Sequence, residues 1–224
     1  MDCEPLSFDE DGAELFAGAA SAIVEELRAA LADLPDGKAG LRLRALPSLR
    51  PHLAADGAVG RVAASVLAGS CRPVRALLLE KNAAVNWSLG WHQDRTVCVA
   101  ERKDAEGFGP WTLKDGLHHV EPPFELLASM ATLRVHLDDV PPDNAPLLIA
   151  PGSHRLGRVE EARIDREVRA CGTRACTAKA GDVWLYATPI LHASPAAARP
   201  ARRRVLQLDY SARDLSAGLE WLDL

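Results

Sequence analysis

Long apolar runs, paired cysteines and an excess of positive charge are all missing from this sequence, and each absence narrows what the chain can be. No stretch approaches the roughly 20 apolar residues that cross a bilayer. The first residues, MDCEPLSFDEDGAEL, are acidic and lack the basic and apolar regions of a secretory signal. The expectation is a cytoplasmic protein with no membrane partner. Five cysteines (Cys3, Cys71, Cys98, Cys171 and Cys176) are an odd number without a CxxC pair, which fits reduced thiols better than a disulfide framework. Lys and Arg number 26 against 31 Asp and Glu, a net charge of −5 that gives no general attraction to nucleic acid. The one basic cluster, RPARRR (199–204), is short and reads as a solvated strand end.

What is present is enough apolar material, 48% of 224 residues, for one sizeable core, read as a single domain. From Asp11 to Leu34, Leu15, Ala19, Ile23, Leu27 and Leu31 recur four apart, predicting one amphipathic helix ended by PDG. A weaker helical stretch runs near Gly57 to Ala68. Residues 1–70 are thus expected to form a helical N-terminal support.

Beyond it the texture changes to strands: VRALLLE (74–80), GWHQDRTVCVAE (90–101), ATLRVHL (131–137), PLLIAP (146–151), GDVWLYA (181–187) and RRVLQLDY (203–210). Helices followed by an unbroken run of strands predict a mainly β fold, a sandwich or jelly-roll with appended helices, because a βαβ sheet needs a helix between strands. Residues 102–123, rich in Gly and Pro and carrying Trp111, Lys114, His118 and His119, are expected to form a lid loop without regular structure.

The chemistry starts from three His-x-acid motifs: His92-Gln93-Asp94, His119-Val120-Glu121 and His136-Leu137-Asp138. With seven histidines, about one such match arises by composition, so the motif alone decides nothing. Residues two apart on a strand share a face, so either strand-borne pair can meet a third ligand from a distant strand. His192 follows the apolar strand GDVWLYA. Two imidazoles and a carboxylate on one face of an octahedron leave three adjacent positions open, the arrangement that suits Fe(II) oxygen chemistry. Arg203 lies eleven positions past His192, where alternation groups it with Val205 and Gln207. A guanidinium aimed into a barrel needs an anion.

Four ordered segments, NWSLGWHQD (86–94), LRVHLDDVPPDNAPLLIAPGSHRLG (133–157), AGDVWLYATPILHAS (180–194) and RRRVLQLDY (202–210), resemble the phytanoyl-CoA dioxygenase-like branch of the Fe(II)/2-oxoglutarate-dependent oxygenases. The resemblance covers residues 74–210 and implies a double-stranded β-helix, a cupin-like jelly-roll. It implies iron ligands at His92, Asp94 and His192, a 2-oxoglutarate carboxylate on Arg203 assisted by the Ser194 hydroxyl, and an aromatic near the cosubstrate, matched to Trp111. The implied reaction consumes O2 and 2-oxoglutarate, releases succinate and CO2, and hydroxylates a C–H bond of a small-molecule substrate. An intact carboxylate at Asp94 disfavours halogenation.

His136-Asp138 is read as a polar strand face, and His154 as part of a structural turn. Two departures stand out: Asn144-Ala145 replaces the usual Asn-Gly and is expected to make a type I turn, and PAAARPA replaces polar residues after His192. Arg95, Lys114, His118 and His119 are expected to make the pocket mouth positive and to favour an anionic substrate. The rival reading is a cupin-like metal-binding protein or metalloenzyme that uses no 2-oxoglutarate. Arg203 separates the two, since such a protein has no reason to aim a guanidinium at its metal.

Overall fold

A computed structural model describes residues 4–45, 47–67 and 70–224. In chain order the strands are β1 (Ala13–Phe16), β2 (Gly40–Leu43), β3 (Arg72–Lys81), β4 (Leu89–His92), β5 (Val97–Val99), β6 (Trp111–Lys114) and β7 (Leu117–Val120). They continue as β8 (Ala131–His136), β9 (Leu147–Ile149), β10 (Arg174–Cys176), β11 (Val183–Ala187), β12 (His192–Ser194) and β13 (Arg203–Ser211). The helices are short: α1 (Phe8–Asp11), α2 (Val24–Ala30), α3 (Arg50–Leu53), α4 (Gly60–Ala64), α5 (Phe124–Ala128) and α6 (Ile164–Cys171).

Every strand pairing is antiparallel, in a major sheet ordered β1-β11-β8-β13-β3-β2, a minor sheet β10-β9-β12-β4 and a small sheet β5-β7-β6. Leu147, Ile149 and Cys176 of the minor sheet pack on Trp184 and Tyr186 of the major one. This is the jelly-roll the strand pattern predicted.

The major sheet separates two environments by simple alternation. Leu206, Leu208 and Tyr210 of β13, with Ala76 and Leu78 of β3, face outward under Leu27, Leu31, Leu49, Leu53 and Val62 of the N-terminal segments. Each fully buried leucine there contributes roughly 1.5–3 kcal/mol, so this outer layer supplies much of the hydrophobic stabilisation. The opposite face carries Arg203 and Gln207 of β13, Arg134 and His136 of β8, and Arg75 and Lys81 of β3, paired in register. A face so rich in cations belongs to a ligand rather than to the core.

Four expectations are corrected. The single helix over Asp11–Leu34 is instead α1, β1, irregular turns and α2. Gly12 and Gly18 take φ of 71° and 67°, outside helical backbone, and residues 13–16 satisfy their backbone groups on the edge of β11. The 90–101 strand is two, β4 and β5, in different sheets. The 102–123 segment contains the β6–β7 hairpin, turned at Asp115 and Gly116 with φ of 51° and 71°. Both values match the type I′ turn that Asp-Gly favours. Finally, Ala145 does not make a type I turn but keeps a left-handed φ of 53°, as a glycine would, at a cost of about 1–2 kcal/mol.

Cys71, Cys98, Cys171 and Cys176 are free thiols. Cys3, and the end of the second helical stretch at Ala68, lie outside the described residues. Among the described residues no helix is long and apolar enough to cross a membrane.

Candidate active site

His92 ends β4 and His192 begins β12, and the two are direct cross-strand partners with ring centroids 4.2 Å apart. Asp94 lies just past the strand end, and ligand atoms of His92, Asp94 and His192 all lie within 4.8 Å of one another. Each imidazole is oriented in the same way: His92 Nδ1 is 2.8 Å from the Gly90 carbonyl and His192 Nδ1 is 3.0 Å from that of Ile190. A carbonyl fixes Nδ1 as the donor and leaves Nε2 with its lone pair, as metal-binding histidines require. Burial drives His192 down to about 4, which keeps it neutral. Burial opposes ionisation of Asp94, but Arg75 and then His192 and His92 outweigh it and hold the carboxyl below its ordinary range.

Local packing fixes this arrangement. Gln93, facing away from its neighbours, donates to the Pro189 and Gly157 carbonyls at 2.8 and 3.0 Å and accepts from Val159 N–H at 2.9 Å. The Ser153 hydroxyl accepts from Leu191 N–H at 2.9 Å, one residue before His192. His154 packs over Gly12, where a Cβ would lie 2.1 Å from its ring. PGSH is thus a structural turn, as expected, whose serine braces the strand carrying a candidate ligand.

Behind the triad lies a cationic wall. Lys81 is fully buried; its Nζ donates to Ser194 Oγ at 3.0 Å and to the Pro195 carbonyl, and sits 4.2 Å from the centroid of the Trp87 ring. Arg203 is its cross-strand partner and is 1% exposed, with Nε and Nη2 unpartnered. Arg134 gives Nε and Nη2 to Gln207 Oε1 at 3.1 and 2.8 Å and leaves Nη1 free. Neither arginine has an acidic partner among the described residues. Burial first, and Arg134 second, push Arg203 down to about 9. Burial, Arg203 and Arg134 push Lys81 down to about 7. Unsatisfied buried donors of one charge mark the seat of an anion.

A cavity of about 650 Å³ opens over the triad and reaches Ser194, Arg134 and Gln207, with Trp87 and Trp91 in its walls. Its charged lining also includes Arg42, Arg95 and Lys114, and Glu161 and Asp165.

The structure does not bring Trp111 to the cavity: on β6 it packs against Val74, Val97 and Val120, with Arg102 over its ring. His136 is buried beside Arg203 and is pushed by burial, Arg203 and Arg134 down to about 3, while Asp138 turns outward to Arg204 at 2.8 Å. That pair diverges and cannot form a ligand set. His119 lines the cavity, but burial lowers it to about 4, so it adds no positive charge there; His118 is not a lining residue.

The profile of the family described as Phytanoyl-CoA dioxygenase (PhyH) matches residues 8–205. The chain belongs to that family, within the Fe(II)/2-oxoglutarate-dependent oxygenases. Among solved structures, EctD from S. alaskensis in its apoform is 21% identical with a TM-score of 0.66, over 95% of this chain and 79% of that one. HygX from Streptomyces hygroscopicus, with nickel and 2-oxoglutarate bound, is 20% identical with a TM-score of 0.62, over 96% and 93%. AviO1 from Streptomyces viridochromogenes Tue57 is 17% identical with a TM-score of 0.56, over 91% of each chain. At these identities the likeness is one of fold, and it confirms the jelly-roll. No curated protein matches the chain.

Lys81, Arg134, Arg75 and Asp209 were missed by the motif reading. The signal was available: Arg75 and Arg134 interrupt the apolar strands VRALLLE and ATLRVHL, and a charge inside a buried strand demands a partner.

Proposed function

We propose that this family member is an Fe(II)- and 2-oxoglutarate-dependent dioxygenase that hydroxylates a C–H bond of a small anionic metabolite. The observation that carries the proposal is the pairing of a His-Asp-His cluster with buried, acid-free guanidinium groups on the adjoining sheet face. The donor set fits Fe(II): two imidazoles whose Nδ1 atoms meet backbone carbonyls and so present Nε2, and one ionised carboxylate. The cationic wall fits a dicarboxylate: Arg203 would take its distal carboxylate, with the Lys81-bound Ser194 hydroxyl beside it. Bound iron and 2-oxoglutarate together supply the oxidative decarboxylation that powers C–H hydroxylation. The chain's own part is to orient both ligands and to keep water from the reacting carbon.

The cavity volume suits a metabolite-sized substrate. Lys114, a lining residue with no acidic partner among the described residues, supports an anionic group on the substrate. HygX has also been solved with hygromycin B, and EctD with 2-oxoglutarate and 5-hydroxyectoine. Family relatives thus take small molecules.

The test is anaerobic titration of the metal-free protein with Fe(II) and then 2-oxoglutarate, monitored by the visible charge-transfer absorption of a chelated 2-oxo acid. The expected result is a band in the wild type and, in Arg203→Ala, 2-oxoglutarate affinity lower by on the order of a hundredfold with metal binding retained, since truncating one side of a buried ionic contact costs several kcal/mol. Metal binding with no band would favour the cupin-like reading instead.

A further inference from the structure

The inner face of β3 carries a cation at each end. Lys81 belongs to the anion wall, whereas Arg75, at the opposite end, faces the candidate ligand Asp94. Arg75 Nη2 lies 3.6 Å from Asp94 Oδ2, and Arg75 Nε lies 2.9 Å from Oδ2 of a second buried acid, Asp209. Asp209 is in turn held at Oδ1 by the Thr132 hydroxyl at 3.1 Å, which meets Thr188 Oγ1 at 3.1 Å. The side chains are enclosed: Arg75 is 12% exposed, Asp94 18% and Asp209 3%. Asp94 Oδ2 has no hydrogen-bond partner, and among the described residues Arg75 is the one cation within ion-pair distance of it.

A carboxylate ligand with two free oxygens can chelate a divalent ion through both, using an extra coordination position. Electrostatic engagement of one oxygen by a fixed cation removes that option and orients the other oxygen. We propose that Arg75 is a positioning residue of the metal site: anchored on Asp209, it holds Asp94 Oδ2 and so limits the carboxylate to one-oxygen coordination. The inference rests on reading His92, Asp94 and His192 as metal ligands. Its consequence is that the adjacent coordination positions stay open for cosubstrate and oxygen. The neutral alternative, in which Arg75 only braces β3 against β13, predicts loss of stability without any change at the metal.

The experiment uses Co(II) alone, added anaerobically to the full-length metal-free chain, and reads affinity and the visible d–d spectrum, which reports coordination geometry. The expected result for Arg75→Met is affinity reduced by about 10- to 100-fold and an altered d–d band. Arg75→Lys, which keeps the charge, should restore much of both. Asp209→Asn, which loosens the anchor while leaving Arg75 in place, should move both in the same direction by less, and it decides the matter if Arg75→Met does not fold. Wild-type Co(II) binding with an unchanged spectrum in the variants overturns the role of Arg75 and leaves the metal site standing. Failure of the wild type to bind Co(II), or undiminished binding in Asp94→Ala, overturns the metal site itself.

Discussion

At the residue scale, the density of buried charge on one sheet face is the feature that asks most of the chain. Arg203, Arg134 and Lys81 share that face without an acidic partner among the described residues, an arrangement that a bound anion would complete. Lys81 gives the sharpest consequence. Burial and the two arginines lower it to about 7, so above that pH it is neutral in the free protein. A dianion beside Ser194 would restore its charge. Binding of 2-oxoglutarate is therefore expected to take up a proton above about pH 7, with affinity falling by up to about tenfold per pH unit. Calorimetry in two buffers of different ionisation enthalpy reads that proton directly. Lys81→Met should abolish the difference in heat, and equal heats in the wild type would mean that Lys81 is already charged. His92, Asp94, His192, Ser194 and Arg203 were all legible as candidates from motif and spacing, whereas Trp111 was not placed correctly. A tryptophan in a loop carries no register until the hairpin that bears it is known.

At the level of elements, short strands joined by specific turns set the walls of the cavity. The β6–β7 hairpin bears Lys114 and His119, and its turn is clasped from the edge of the major sheet by β2: Arg42 pairs with Asp115, and just beyond the strand end Arg44 donates to the Gly116 carbonyl at 2.7 Å. Gly116→Val would force a β-branched side chain to φ near 71°, at a cost of about 1–2 kcal/mol. The expected outcome is faster amide exchange across β5, β6 and β7, with β13 unaffected and metal affinity unchanged. Exchange that rises equally in β13 would show that the hairpin is not a separable unit. The Lys-Asp-Gly-Leu turn was readable in the sequence, but the surrounding Gly and Pro residues obscured it. The N-terminal helix failed for a different reason: its fourfold periodicity was real, and Leu27 and Leu31 are buried. Residues 13–16 nevertheless gain more by pairing with the open edge of β11 than by continuing a helix across Gly18.

For the whole molecule, the titration of its interior sets the stability profile. His136, lowered to about 3, and His119, lowered to about 4, stay neutral when folded, whereas in the unfolded chain they protonate near 6.5. The unfolded state then binds more protons, so their contribution is present above about pH 6.5 and is lost as the pH falls toward 4 and 3. Asp209, raised to about 6 by burial and, against Arg75, by Asp94, works in the opposite sense between about 6 and 3.8. With His192, likewise lowered to about 4, three histidines against one acid predict a net loss of stability on acidification, on the order of several kcal/mol. Urea unfolding of the metal-free protein across this range measures it. His136→Gln should flatten the dependence even as it lowers stability overall, and an unchanged slope would place the sensitivity elsewhere. The sequence by itself determined the jelly-roll class, the order of the principal strands and the choice of His92, Asp94 and His192 as candidate ligands, because alternation and motif order are local properties. The meeting of His92 with His192, the placement of Arg75 behind Asp94, the hairpin's role as a cavity wall and the conversion of a helical stretch into β1 were decided only by tertiary structure. Each depends on register between segments far apart in the chain, where a shift of one residue turns every side chain to the opposite face.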